Sequence, residues 1–108
     1  MKGQLEKAKA ELLQSLALRP NIPEVLNNLG TVQVKLGDTA AGLRLFEKAV
    51  VLRPNYALAR FNLAEASAAT NPKRAVSEYE TYLALVEGIP EEEARIVHVK
   101  ERVKALKR

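Results

Sequence analysis

Apolar residues recur three and four positions apart along most of the chain, and glycine, proline, asparagine or aspartate interrupts them at short intervals. Such spacing places apolar side chains on one face of a helix. Pro23 suits the first turn of a helix, where its missing N–H costs nothing, and Gly37 can end a helix in a left-handed conformation. The pattern therefore predicts a helix between them, with a stripe formed by Leu26, Leu29, Val32 and Leu36.

A second amphipathic helix follows directly. Asp38 has a side-chain oxygen that can cap a helix N-terminus, and the helix is expected to stop before Arg53-Pro54-Asn55 because the residue before a proline disfavours helix. The stripe of this helix consists of Leu43, Phe46, Ala49 and Val50. The predicted unit is a helix, a turn and a helix.

The same unit recurs at a fixed offset, which is the signature of a repeat architecture. At 34 residues, Arg19-Pro20-Asn21 falls on Arg53-Pro54-Asn55, Asn28-Leu29-Gly30 on Asn62-Leu63-Ala64, Ala8 on Gly42 and Leu12 on Phe46. One residue is lost near Asn71-Pro72, and the offset is then 33, with Phe46 on Tyr79, Ala49 on Tyr82 and Leu52 on Leu85. Each pair of helices is expected to bury its apolar face on the next pair, so the fold is predicted to be an all-α solenoid.

The repeats resemble the tetratricopeptide family, whose pattern is W-x2-L-G-x2-Y, then A-x3-F, then P. The matching positions are Leu26, Leu29-Gly30, Gln33, Gly42, Phe46 and Pro54, then Arg60, Leu63-Ala64, Ser67, Ala75 and Tyr79. Leucine, glutamine, arginine and serine fill several large aromatic places, which weakens the packing expected there. The resemblance implies a right-handed α-solenoid of antiparallel helix pairs, with six helices including a C-terminal capping helix.

The expected organisation is one domain over residues 1–108. Residues 3–20 would be the second helix of a truncated repeat, 23–56 a full repeat, 57–88 a full repeat one residue short, and 90–108 the capping helix. Because the first helix would lack its partner, either neighbouring repeats are missing or another chain covers it, and homodimerisation through this helix is a third hypothesis.

In the resembling family, the first helix of each pair lines a concave groove that holds a peptide or a helix of a partner protein. The matching positions here are Glu24, Asn27, Asn28, Thr31, Val34 and Lys35, then Leu58, Phe61, Asn62, Glu65, Ala68 and Ala69. An asparagine amide both donates and accepts, so it can bind a partner's backbone. For Asn28 and Asn62 bonding within the array is favoured, whereas Asn27 is expected to be less constrained. Phe61 is either an anchor at the partner interface or a core ring.

The net charge of +4 at first indicates an anionic partner, but it lies at one end of the chain. The last predicted helix is basic (Arg95, Lys100, Arg102, Lys104, Lys107 and Arg108) opposite an apolar stripe of Ile96, Val99, Val103 and Leu106. A solvated helix end is favoured. Nucleic-acid binding is the runner-up function, disfavoured because the groove positions carry both signs of charge and few aromatics.

Catalysis needs groups that exchange protons, attack a substrate or hold a metal. His98 is the only histidine and cysteine is absent, so neither a metal site nor a cofactor is expected, and no Gly-rich phosphate loop is present. The sequence predicts a protein-binding scaffold rather than an enzyme. The apolar runs are too short for a membrane span, and the first residues make no secretory signal. A cytoplasmic location is favoured on that ground.

Overall fold

The computed structural model describes residues 2–108, and they form six α-helices joined by short turns. The helices are α1 (Lys2–Leu18), α2 (Pro23–Lys35), α3 (Thr39–Leu52), α4 (Ala57–Ser67), α5 (Pro72–Val86) and α6 (Glu93–Leu106). A single turn of 3-10 helix, Pro90–Glu92, leads into α6. The helices α2 and α3 pack as one pair, α4 and α5 as a second, and the predicted all-α helical array is confirmed.

The helix ends follow the turn chemistry of the sequence. Asp38 caps α3 by accepting a hydrogen bond from Ala41 N, and Asn71 caps α5 by accepting one from Arg74 N. Gly37 and Gly88 have φ values of 94° and 77°, a left-handed conformation that a side chain disfavours. These residues fix the short connections that hold successive helices antiparallel.

Two apolar clusters form the core. The first is built on α2, α3 and α4 around Leu26, Phe46 and Leu63. The second joins α4 and α5 to α6 around Tyr79, Tyr82 and Val99, and the other stripe residues of α6 pack against it. The helix α4 contributes to both clusters and so connects the two parts of the core.

Small residues set the spacing inside each pair. A Cβ atom added at Gly30 would lie 2.6 Å from Phe46 Cε1, and one added at Gly42 would lie 2.9 Å from the Gly30 carbonyl oxygen. Ala64 and Ala75 are the matching residues of the second pair, and both are fully buried. The helices approach closely only because these positions carry almost no side chain.

Arg60 stands where the repeat pattern has tryptophan, and the structure shows how this substitution is accommodated. Its Nη1 atom donates to Glu78 Oε1 at 2.9 Å, and its Nε atom donates to the Pro54 carbonyl oxygen at 3.0 Å. Arg74 also bonds Glu78, at 3.3 Å. In the first pair the corresponding positions are Leu26, in the first core cluster, and Leu45, which is partly buried against that cluster. The second pair thus has an ion pair where the first pair has two leucines.

Candidate functional site

The array contains two adjoining hollows that share Thr31 and Asn62. The first, of about 680 Å³, lies among α1, α2 and α4, and the second, of about 360 Å³, lies among α2, α3 and α4. The first also includes Asn27, Asn28 and Leu58, and the second includes Val34, Lys35, Glu65 and Ala69. Nine of the twelve residues proposed from the sequence are therefore brought together in one groove.

Asparagine side chains connect α2 and α4 at the floor of this groove. Asn62 Nδ2 donates to Asn27 Oδ1 at 2.9 Å, and Thr31 Oγ1 donates to the Asn27 carbonyl oxygen at 3.1 Å. Asn27 is only 1% exposed, so the expectation that it is the less constrained asparagine is wrong. It faces the neighbouring helix, whereas Asn28 is exposed in the hollow and is the freer of the two.

The remaining three predicted residues lie outside the hollows. Phe61 is partly buried and its ring packs 5.7 Å from that of Tyr82, so it belongs to the packed interior of the second cluster. Ala68 packs against the same cluster. Glu24 is exposed and accepts a charged hydrogen bond from Arg53, which lowers the pKa of its carboxyl group. None of these three residues lines either hollow.

A residue inside the groove can also hold the helix pair together. The Val34 methyl Cγ2 would meet a Cβ at Gly42 at 2.5 Å, so Val34 covers the glycine face of α3 while it lines the second hollow. This double role explains why Val34 is only partly exposed.

A polar cluster that the sequence did not predict lies where α6 approaches α4. Tyr79 donates its hydroxyl hydrogen to Glu65 Oε2, and His98 Nε2 lies 3.3 Å from the same oxygen. The Arg95 guanidinium stacks 5.1 Å from the centre of the Phe61 ring. The repeat offset offered a signal, since 33 positions after Asn62 lies Arg95. The pattern of a capping helix does not by itself indicate that α6 continues the register of the first helices.

Burial is the largest cause of the raised pKa values of the two tyrosines beside this cluster. It raises the pKa of Tyr79 to about 12, with the hydrogen bond to Glu65 acting in the same direction and the Arg102 guanidinium opposing it. Burial also raises the pKa of Tyr82 to about 12, and the Glu92 carboxylate that accepts its hydroxyl hydrogen adds to the effect. Both phenols are therefore neutral hydrogen-bond donors at physiological pH.

Much of the basic end of the chain is engaged in contacts within the array. Lys107 Nζ lies 3.0 Å from Glu80 Oε2, and Arg95 Nη1 lies 3.2 Å from Glu92 Oε1. Among residues 2–108, no three histidine, aspartate or glutamate side chains converge as a metal would require. None of the six helices is both long enough and apolar enough to cross a membrane.

The fold and its groove are those of a helical-repeat protein, and comparison with known proteins identifies one of the repeats. The family model described as tetratricopeptide repeat matches residues 23–56, which are α2, α3 and the turn that follows. The resemblance carried by the sequence motifs is therefore confirmed for residues 23–56, which match a tetratricopeptide repeat.

Several solved structures share this fold. The type III secretion chaperone SycD of Yersinia enterocolitica, in complex with a peptide of the translocator YopD, superposes with a TM-score of 0.89 at 18% identity, covering 97% of this chain and 81% of that one. PcrH from Pseudomonas aeruginosa superposes with a TM-score of 0.85 at 19% identity, covering 98% of this chain and 81% of that one. The first repeat domain of Spaghetti (RPAP3), bound to an HSP90 peptide, superposes with a TM-score of 0.78 at 19% identity. The match covers 94% of this chain and 82% of that one.

Proposed function

We propose that this chain is a non-catalytic protein-binding module, and that the groove on α2 and α4 holds an extended segment of a partner protein. The observation that carries the proposal is the pair of hollows joined at Thr31 and Asn62. Two fold neighbours support it, since SycD is in complex with a YopD peptide and the Spaghetti (RPAP3) domain is bound to an HSP90 peptide.

The groove offers hydrogen bonds that suit a peptide backbone. Asn62 uses one amide N–H to bond Asn27, and within residues 2–108 its amide oxygen has no side-chain or backbone donor. Asn28 is exposed in the first hollow. Amides spaced along a groove bind the peptide N–H and C=O groups of an extended segment whatever its side chains are. The module is therefore expected to recognise mainly the extended backbone of a segment and only secondarily its side chains.

Side-chain preference would come from the ends of the groove. Leu58, at 37% exposed, offers an apolar wall in the first hollow, and Lys35 offers an ammonium group in the second. Glu65 also lines the second hollow but is already engaged by Tyr79 and His98. We infer that the preferred segment has an apolar side chain at the Leu58 end and an acidic one near Lys35.

A display selection tests this proposal with a defined probe. Random twelve-residue peptides are selected on the wild-type chain, and the affinities of the enriched peptides are measured by fluorescence anisotropy on Asn28→Ala and Lys35→Ala. Both residues are exposed, and Asn55→Ala and Lys48→Ala make the same changes at exposed positions outside the groove. We expect each groove variant to weaken binding by about tenfold, which is about 1.4 kcal/mol.

The controls are expected to bind as the wild type does, and circular dichroism checks that every variant is folded. Enriched peptides that bind the groove variants as tightly as the wild type would place the binding surface elsewhere. Failure to enrich any peptide would also count against an extended-segment groove.

A further inference from the structure

Glu65 takes part in two different features of the molecule. Its side chain lines the second hollow together with Lys35, and its carboxylate lies where α5 and α6 meet α4. Tyr79 donates its hydroxyl hydrogen to Glu65 Oε2, and His98 Nε2 lies 3.3 Å from the same oxygen. A change of charge on His98 therefore acts on a residue that lines the groove.

The surroundings of His98 contain several other charged or titratable groups. The imidazole lies 6.1 Å from the Phe61 ring, edge-on, and the His98 side chain is 48% exposed. Side chains of arginine and glutamate keep their charge between pH 5.5 and 7.5, and burial raises the pKa of Tyr79 to about 12. The groups concerned are Glu65 on α4, Tyr79 on α5, and Arg95, Glu101 and Arg102 on α6. The charge around His98 is therefore constant in this range unless the imidazole itself gains a proton.

Histidine is the side chain that ordinarily exchanges a proton in this pH range, and His98 is the only histidine in the chain. The charged residues that line the second hollow are Lys35 and Glu65. While the imidazole is neutral, an acidic side chain of a bound segment is attracted by Lys35 and repelled by Glu65. A proton on His98 sets a positive charge against the Glu65 carboxylate and offsets that repulsion.

We propose that His98 and Glu65 form a pH-sensitive pair that regulates the charge preference of the groove, a role that rests on the proposed function of the groove. A proton on His98 strengthens the binding of a segment that carries an acidic side chain near Lys35. His98 lines neither hollow, so it acts through Glu65 and through its own charge rather than by contact with the segment.

The size of the effect follows from Coulomb's law. The second hollow has a volume of about 360 Å³, so an acidic group bound in it lies on the order of 10 Å from the imidazole. With an effective dielectric constant of roughly 50, between those of a protein surface and bulk water, a charge at this distance changes affinity about threefold. Added salt should reduce the effect, because His98 is half exposed.

The probe is a twelve-residue peptide from the display selection, free of histidine and acetylated at its N-terminus, that carries an acidic residue and binds Lys35→Ala more weakly than the wild type. Its affinity for the wild type is measured by fluorescence anisotropy at pH 7.5 and at pH 5.5. We expect binding to be about threefold tighter at pH 5.5. Replacing the acidic residue of the peptide with glutamine should remove the difference, and replacing it with lysine should reverse it.

Three protein variants test the assignment to this pair. His98→Gln should bind the peptide with the same affinity at both pH values, because an amide gains no proton in this range. The matched control His98→Gln/Gln14→His returns a histidine to an exposed position that lines neither hollow, and it should also be insensitive to pH. Glu65→Gln should bind the acidic peptide at least about threefold more tightly than the wild type at pH 7.5, because the repulsion is removed.

Calorimetry adds a readout that only a titrating group changes. If a proton on His98 strengthens peptide binding, then peptide binding must in turn favour the proton, so the complex takes up protons as it forms near pH 6.5. Isothermal titration calorimetry in two buffers of different ionisation enthalpy measures this uptake. The wild type should take up a fraction of a proton per peptide, and His98→Gln should take up none.

The possible failures separate this proposal from that of the groove. Equal affinity of the wild type at pH 7.5 and 5.5, or a difference that persists in His98→Gln, overturns the regulation and leaves the groove in place. A selection that yields no acidic peptide dependent on Lys35 removes the site near Lys35 and its regulation together.

Discussion

Arg60 and Glu78 form an ion pair inside the α4/α5 interface, with side chains 19% and 8% exposed. Changing either residue alone to leucine leaves the other charge in a place where water solvates it poorly. Removing one partner of a fully buried pair costs about 3–5 kcal/mol. Here the residual partners reduce that cost, since Arg60 keeps the Pro54 carbonyl and Glu78 keeps Arg74. We expect about 3 kcal/mol for Glu78→Leu and about 2 kcal/mol for Arg60→Leu.

The double variant Arg60→Leu/Glu78→Leu should behave differently, because it copies the leucine pair that the α2/α3 interface already uses. We expect its free energy of unfolding to lie within about 1 kcal/mol of the wild type, a coupling energy of about 4 kcal/mol between the two positions. Urea titration followed by ellipticity at 222 nm measures all three variants. The slope of the free energy with urea should stay constant, so that midpoints can be compared.

Glu80→Leu is the matched control, since Glu80 lies on the same helix in an exposed pair with Lys107. Such a pair contributes at most about 1 kcal/mol. If the double variant loses as much stability as the two single variants together, the charges are not coupled. The account of how Arg60 replaces an aromatic residue would then be refuted.

Three further predictions follow from other contacts. Gly30→Ala should destabilise the chain by about 1–3 kcal/mol in thermal unfolding, because its Cβ would collide with an aromatic ring, whereas Gly3→Ala, with nothing within 4 Å, should not. Asn62→Ala should cost about 1–3 kcal/mol in urea titration, since it removes the side-chain partner of a buried amide oxygen. Tyr79 and Tyr82 should make alkali unfold the chain: their raised pKa values stabilise it fully below pH 10, and this is lost as pH rises towards 12.

Each of these predictions has its own check. An equal loss of stability in Asn28→Ala, whose side chain is exposed, would show that the asparagine effect is not one of burial. Stability gained by Gly30→Ala would show that the ring moves aside freely. Absorbance at 295 nm follows tyrosine ionisation, and ionisation of Tyr79 and Tyr82 near pH 10 with ellipticity unchanged would contradict the burial argument.

The periodicity of the sequence was sufficient to predict the helices, their caps and their pairing. These features depend on nearby residues: Asp38 and Asn71 cap the helices that follow them, and Gly37 turns the chain where a left-handed residue is needed. The groove positions were reached through the family resemblance, and nine of the twelve line the two adjoining hollows.

Contacts between helices were harder to foresee. The partner of Arg60 is 18 residues away, and nothing local to Arg60 indicates that a glutamate will face it. The sequence pattern predicts Asn27 to be less constrained than Asn28, yet one position on a helix is a rotation of about 100°. That rotation turns Asn27 into the α4 interface and Asn28 out into the hollow.

An array of similar units faces a hazard during folding, because a first helix can dock on the wrong second helix. If α2 paired with α5, Leu26 would meet Glu78 and leave its carboxylate buried with only Arg74 beside it. If α4 paired with α3, Arg60 would meet Leu45 and lose its anion. Each mispaired state buries a charge at a cost that the native order avoids. The arginine–glutamate pair therefore favours the native pairing of first and second helices and prevents the two units from exchanging partners.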